Sequence, residues 1–311
     1  MGTTKILVLG VGELGTAILT SLSALAPQNT SITVLLRPST ISTTVPSKLT
    51  ELSTLRALNI AFLPGDIATS SISTLATLFQ PFDTIISCLG FASGPGSQIK
   101  IAQAVLEAKV KRFFPWQFGV DYEVVGRGSA QDLWDEQLDV RALLKAQQIT
   151  EWVIISTGLF MSFLFESSFG VVDLKQGVVR ALGGWENKVT VTTPGDIGRL
   201  TSMVVFAEPR VRNQVVYTAG ETVSYARVAG VVEEVLGRKV RREVWTVERL
   251  EEELKGDPED AIRKYRVAFA VGRGVSWDVE RTFNWQRGIE VTDVKTFAME
   301  NLPQAVETTT A

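Results

Sequence analysis

One short stretch near the N-terminus constrains the fold more than any other. Lys5-Ile6-Leu7-Val8-Leu9 reads as a buried strand of a parallel sheet and runs directly into Gly10-Val11-Gly12-Glu13-Leu14-Gly15. A helical run follows from Leu14 to about Leu25 and stops near Pro27. In such a strand–turn–helix unit each glycine has a distinct task. Gly10 permits the tight turn, Gly12 lets backbone approach a diphosphate, and Gly15 lets helix and strand pack closely. The free N–H groups of the helix start then face the negative charge. Gly10, Gly12, Glu13, Leu14 and Gly15 are therefore expected to bind a dinucleotide. A purely structural glycine turn is the alternative.

The second strand, Ser31–Leu36, ends at Arg37. An acidic residue here would accept bonds from the ribose hydroxyls of NAD, whereas an arginine suits the 2′-phosphate of NADP. Lys48 adds a second charge if the loop from Pro38 to Pro46 brings it near; a solvated strand end is the competing reading of Arg37. Ile60–Leu63 is the third strand, and Asp66 and Ile67 follow it where adenine contacts fall. Strand Thr84–Ser87 leads to Cys88, Leu89 and Gly90, expected beside the cofactor. Helices are expected over Ser71–Phe79, Gln98–Ala108 and Asp132–Gln147, with strands at Phe113-Phe114 and Trp152–Ile155. Pro115, Trp116, Gln117, Phe118 and Thr157 lie just after these last two strands and join the expected cofactor set. This alternation predicts an α/β Rossmann domain over residues 1–158 with a parallel, doubly wound sheet.

Beyond residue 158 the alternation loosens. Residues 159–311 predict a smaller, closely packed C-terminal α/β substrate lobe, some of whose strands and helices return to the first domain. Strands are expected at Val189–Thr193 and Val240–Val244, and helices at Pro194–Phe206, Tyr225–Leu236 and Val247–Leu254. The tail after Pro303 is expected to fray. Leu159–Phe169 is either packed core or the apolar wall of a substrate pocket; Phe118, Phe160, Met161 and Phe165 are its candidate ligand contacts. Trp185 lies over that pocket or in a surface turn.

Absences narrow the chemistry. The chain has no histidine, which excludes histidine triads, histidine bases and histidine metal sites. With a single cysteine, Cys88, there is no intramolecular disulfide, and no metal site is expected. Lys plus Arg is 31 against 34 for Asp plus Glu, a formal charge of −3, so nucleic acid is not an expected partner. No run reaches membrane-spanning length and the start lacks a secretory pattern, so a cytoplasmic monomer or homodimer acting on a small molecule is expected.

Lys111-Arg112-Phe113-Phe114-Pro115-Trp116-Gln117-Phe118-Gly119 resembles the KRFxPSEFG segment of the NmrA-like, isoflavone-reductase-like branch of the atypical short-chain dehydrogenases. The glycine turn, Arg37 and Gly195-Asp196-Ile197-Gly198 support a resemblance that covers most of the chain and is nearest to fungal members, some found near secondary-metabolism genes. The resemblance implies NADPH as cofactor and an apolar or aromatic compound as substrate; other members bind the nucleotide and act as regulators. Departures are equally specific. The family's catalytic lysine falls at Gln137, and its Ser and Glu at Trp116 and Gln117. A glutamine cannot exchange a proton at neutral pH. Nor is there a Tyr–Lys pair of the short-chain type, since Tyr122 is followed by Glu123-Val124-Val125-Gly126. On the reductase reading Gln117 or Gln137 orients the acceptor, and the proton comes from Tyr122, Asp121, Asp135 or water. The rival is a non-catalytic NADP(H) sensor; isomerisation or cyclisation beside a structural nucleotide is a third reading.

Overall fold

A computed structural model of the chain describes residues 2–90 and 94–307. In chain order its strands are β1 (Thr4–Leu9), β2 (Thr30–Leu36), β3 (Ala61–Pro64), β4 (Thr84–Ser87), β5 (Arg112–Phe114), β6 (Glu151–Ser156) and β7 (Leu159–Phe160). There follow β8 (Val172–Asp173), β9 (Val178–Leu182), β10 (Lys188–Thr192), β11 (Gln214–Tyr217), β12 (Glu221–Ser224) and β13 (Arg241–Trp245). Two compact units are interleaved along the sequence. The first takes the chain up to Gln117 together with Glu136–Ile155 and Ile197–Val216; the second takes Phe118–Asp135, Ser156–Asp196 and the chain from Tyr217 onward.

The first unit is built on a seven-stranded sheet of order β11-β6-β5-β4-β1-β2-β3. Strands β3, β2, β1, β4, β5 and β6 pair in parallel. Ile6–Leu9, Ile85, Ile86, Phe113 and Ile154 are all buried, which is why these strands read as unbroken apolar runs rather than alternating ones. Burying each such side chain stabilises the fold by about 1.5–3 kcal/mol before entropy is counted. Helices Glu13–Leu25 and Pro194–Val205 meet at backbone contact: a Cβ on Gly198 would lie 2.5 Å from the carbonyl carbon of Ala17. Arg112, at the start of β5, is buried, and its guanidinium donates to the carbonyls of Val205 (2.6 Å), Val211 (2.8 Å) and Val204 (3.2 Å). One side chain thus holds the end of helix Pro194–Val205 and the turn after it.

The second unit carries two three-stranded sheets, β12-β10-β7 and β13-β9-β8. Its core includes an aromatic cluster in which Trp134 meets Tyr122, Tyr265 and Phe269 edge-on, with ring centroids 5.8–6.2 Å apart. Trp245 is flanked by the guanidiniums of Arg180 (4.9 Å), Arg249 (5.3 Å) and Arg266 (4.8 Å). Gly158 has φ +74°, and a Cβ there would collide with the carbonyl of Thr190.

The α/β class and the parallel sheet are as the sequence predicts. Several elements are not anticipated by it. The segment from Pro38 onward holds helices Pro38–Ile41 and Pro46–Ala57, and the aromatic segment after residue 158 forms β7 and helix Met161–Leu164. Strands β8, β9, β11 and β12 and helix Ala261–Val271 are also new. Helix Val294–Glu307 continues past Pro303, where fraying was expected; residues 308–311 lie outside the described residues. No helix among the described residues is long and apolar enough to cross a membrane.

Candidate functional site

The glycine turn closes the carboxyl end of β1. Gly10 has φ +95°, a left-handed conformation that side chains rarely adopt. A Cβ on Gly15 would collide with the carbonyl of Gly10 and lie 3.4 Å from Cys88 Cβ, so only glycine lets helix Glu13–Leu25 start this close to the sheet. Gly12, the residue capping that helix, is exposed, offers no capping side chain and has open space where a Cβ would stand. Glu13 is exposed in the first turn, while Leu14 is buried beneath it. The first-turn N–H groups are thus left for an outside acceptor, at the positive end of the helix dipole.

Arg37 follows β2 and caps helix Pro38–Ile41; its guanidinium is exposed and makes no hydrogen bond or ion pair among the described residues. Lys48 instead pairs with Glu51 at 2.9 Å on helix Pro46–Ala57. Asp66 turns its carboxylate back to accept from the Ala68 N–H (2.9 Å), and Ile67 is buried. Lys100, not singled out from sequence, donates to the Ile67 and Ala68 carbonyls (2.8 and 3.1 Å) and fixes this loop to helix Ser97–Glu107.

Beyond β4, Cys88 is buried and its thiol is pushed far above the usual range by desolvation, so it is inert. Leu89 packs where a Cβ on Gly10 would stand, and its carbonyl accepts from Gln98 Nε2 (2.7 Å). The indole of Trp116 lies against Gly90, 3.1 Å from where its Cβ would be. Glu136 caps helix Ser97–Glu107, accepting from the N–H groups of Gly96 (2.9 Å), Gln98 (2.7 Å) and Ile99 (3.0 Å). A polar i,i+3 or i,i+4 reading of helix Leu133–Lys145 could not have found this, because its partner lies some 40 residues away.

Pro115 and Gln117 are buried after β5. Arg141 Nε donates to Gln117 Oε1 (2.7 Å), and Gln117 Nε2 donates to the backbone carbonyl of Gln137 (2.9 Å). Gln137 is 0% exposed, and neither end of its own side-chain amide has a hydrogen-bond partner among the described residues. Among the expected catalytic residues, the structure therefore joins Gln117 and Gln137 in the first unit.

Asp121, Tyr122, Asp135, Phe118 and Thr157 belong to the second unit. The Asp121 carboxylate accepts from the Tyr217 hydroxyl (2.6 Å) and the Val124 N–H (3.4 Å). Asp135 accepts from the Gly128 N–H (3.1 Å), and Tyr122 is buried in the aromatic cluster with its hydroxyl against Gly119. Both carboxylates are thus engaged in shaping backbone. Phe118 and Thr157 are buried; Thr157 N donates to the Gly119 carbonyl (3.0 Å), and the Thr157 carbonyl accepts from Thr192 Oγ1 (2.7 Å). Met161 is fully buried, Phe160 is half-buried at the end of β7, and Phe165 packs on Phe297 with centroids 5.4 Å apart. Trp185 sits in the turn between β9 and β10; Arg242 lies 5.7 Å from its ring, and Ala226 N donates to its carbonyl (3.0 Å).

The chain is 50% identical over 296 residues to an NmrA-like family domain-containing oxidoreductase of Gibberella moniliformis, covering 94% of this chain and 96% of that one. A crystal structure of an isoflavone reductase aligns with TM-score 0.77 at 19% identity, over 96% of this chain and 99% of that one. AtPrR2 with NADP+ and (+)pinoresinol aligns with TM-score 0.77 at 17% identity and the same coverage. These two likenesses concern the fold. The NmrA-like family matches residues 2–280, and the chain belongs to that family.

Proposed function

We propose that the protein is an NADPH-dependent reductase of a small apolar or aromatic molecule. The observation that carries this reading is the open, uncapped helix start at Gly12, beside the point between β1 and β4 where the strand order reverses. In doubly wound folds that crevice is where dinucleotides lie. Gly10, Gly12, Glu13, Leu14 and Gly15 hold the diphosphate, Arg37 takes the 2′-phosphate, and Cys88–Gly90 with Pro115–Gln117 border the nicotinamide end. When bound, NADPH supplies the hydride; the chain's own residues position it and exclude water. The second unit serves as the substrate lobe, with Phe118, Phe160, Met161 and Phe165 as its apolar contacts. The relative at 50% identity is named an oxidoreductase, which supports the reaction class.

Arg37→Glu tests the phosphate assignment. Loss of a charge-assisted contact of about 2 kcal/mol lowers NADPH affinity roughly thirtyfold. NADH affinity is expected to hold or rise, because a carboxylate accepts from ribose hydroxyls. Titration of nucleotide fluorescence reads both constants, and an unchanged NADPH constant would remove Arg37 from the site. Reductase activity itself is tested by NADPH consumption across a panel of aromatic ketones and enones. A second reading, a nucleotide sensor without catalysis, is favoured by Gln137 at the lysine position and by the engaged state of Asp121 and Asp135. Tight NADPH binding with no consumption across the panel would select it.

A further inference from the structure

We infer that the second unit carries a binding site of its own, a cavity that takes a small zwitterion: one molecule bearing a carboxylate, an ammonium group and an apolar side chain. The cavity opens to solvent, has a volume of about 460 Å³ and is lined by residues of the second unit. That volume accommodates an amino acid or a short peptide and lies in the range of about 300–1,000 Å³ usual for small-molecule sites. None of Phe118, Phe160, Met161 and Phe165 lines it, so the inference does not depend on the nucleotide or the reductase reading. Asp121 stands in its wall, but the carboxylate there already accepts from the Tyr217 hydroxyl (2.6 Å).

The floor of the cavity is preformed. Trp277 is buried, and its indole N–H donates to the Thr218 carbonyl (3.2 Å). The Trp277 main chain donates to Thr190 Oγ1 (3.1 Å), and its carbonyl accepts from Thr222 Oγ1 (2.8 Å). The two threonine hydroxyls lie 2.7 Å apart. The single hydroxyl proton of Thr222 goes to the Trp277 carbonyl, so Thr190 donates to Thr222 and the bonds close into a ring. On the other wall the Asp121 N–H donates to the Gly274 carbonyl (2.8 Å). A cavity held open before any ligand arrives lowers the ordering cost of binding.

Charge around this floor selects the ligand. Lys188, Asp278, Glu280 and Arg281 line the cavity, and all four are exposed. None of the four side chains makes a hydrogen bond or an ion pair among the described residues. Elsewhere in the same unit opposite charges within reach do pair, as Lys264 with Asp132 and Lys239 with Glu233, each at 2.9 Å. The Arg281 guanidinium is stacked 3.8 Å from the centroid of the Tyr217 ring, which fixes its plane and leaves its N–H edges open to an oxyanion. Two cations in the lining oppose a divalent metal ion, and two carboxylates oppose a polyphosphate. A ligand carrying both signs satisfies both pairs at once: its carboxylate meets Arg281 and Lys188, and its ammonium meets Asp278 and Glu280. Val124, Val279 and the Trp277 indole give its apolar side chain a surface to cover.

The test measures binding of leucine, leucylleucine, leucinamide and N-acetylleucine to the full-length chain by calorimetric titration. Leucinamide lacks the carboxylate, and N-acetylleucine lacks the ammonium group. At least one of the two zwitterions is expected to bind saturably, with leucinamide and N-acetylleucine each at least about tenfold weaker than it. A preference for leucine assigns a free amino acid, and a preference for leucylleucine a peptide. Arg281→Gln is expected to weaken the zwitterion and N-acetylleucine while sparing leucinamide, and Glu280→Gln to weaken the zwitterion and leucinamide while sparing N-acetylleucine. A general structural defect would not produce this crossed pattern. Both substitutions are on exposed residues, and the NADP+ affinity of each variant is expected to match that of the unaltered protein. No saturable binding of either zwitterion up to about 10 mM overturns the inference. So does zwitterion binding that both variants leave unchanged, or N-acetylleucine binding as tightly as leucine and leucylleucine. Failure of NADP+ to bind the unaltered protein would remove the nucleotide reading and leave this inference standing.

Discussion

Gly15→Val is expected to abolish measurable NADPH binding and to lower the thermal midpoint by at least about 5 °C. Even the first atom of the new side chain has no room, because it meets the carbonyl of Gly10 and then Cys88. The helix must move off the sheet, and the N–H groups of its first turn leave the position set by the turn. Overpacking of this kind costs about 1–3 kcal/mol, and here the obstacle is backbone rather than a side chain that can rotate away. Calorimetric titration with NADPH and a thermal melt read the two effects separately. Retained NADPH affinity would mean that the nucleotide does not sit on this turn.

The second large effect is on stability alone. Arg112→Met removes three hydrogen bonds to main-chain carbonyls and leaves Val204, Val205 and Val211 without that donor. Burial lowers the Arg112 pKa to about 10, which still leaves the guanidinium charged at neutral pH. Breaking such a buried charged network costs about 3–5 kcal/mol. A fall in thermal midpoint of roughly 10 °C is expected, with the ratio of NADPH to NADH affinity unchanged. Arg112→Lys is expected to recover only part of it, since an ammonium cannot span three carbonyls as a planar fork does. A midpoint within about 2 °C of the original for Arg112→Met would show that the network contributes little.

What the sequence reveals follows from how local each determinant is. β1, the glycine turn and helix Glu13–Leu25 are legible because strand, turn and helix are contiguous and each depends on its own residues. Helix Pro46–Ala57 is hidden because it buries only Leu52 and Leu55, so its apolar stripe is too thin to stand out. β7 and β8 are two residues each, and such strands exist only through pairing with β10 and β9. At the candidate site Gln137 is marked by its place in the family segment, but its unsatisfied amide and the Arg141–Gln117 support are tertiary facts. Asp121 and Asp135 read as proton donors in sequence because a carboxylate's partners, Tyr217 and the Gly128 N–H, are invisible there.

The interleaving of the two units has a consequence for the chain as it leaves the ribosome. β5 ends at Phe114, but the strand that covers its free edge, β6, begins only at Glu151, and β11 closes the sheet at Gln214–Tyr217. Synthesis of the roughly 100 residues between Gln117 and Tyr217 takes about 5–20 s at ordinary elongation rates. Throughout the first part of that interval a nascent sheet of β1–β5 presents an unpaired apolar edge, the feature most prone to edge-to-edge association. Chains halted before Glu151 are therefore expected to aggregate, whereas chains released after Tyr217 carry every strand that the first sheet requires.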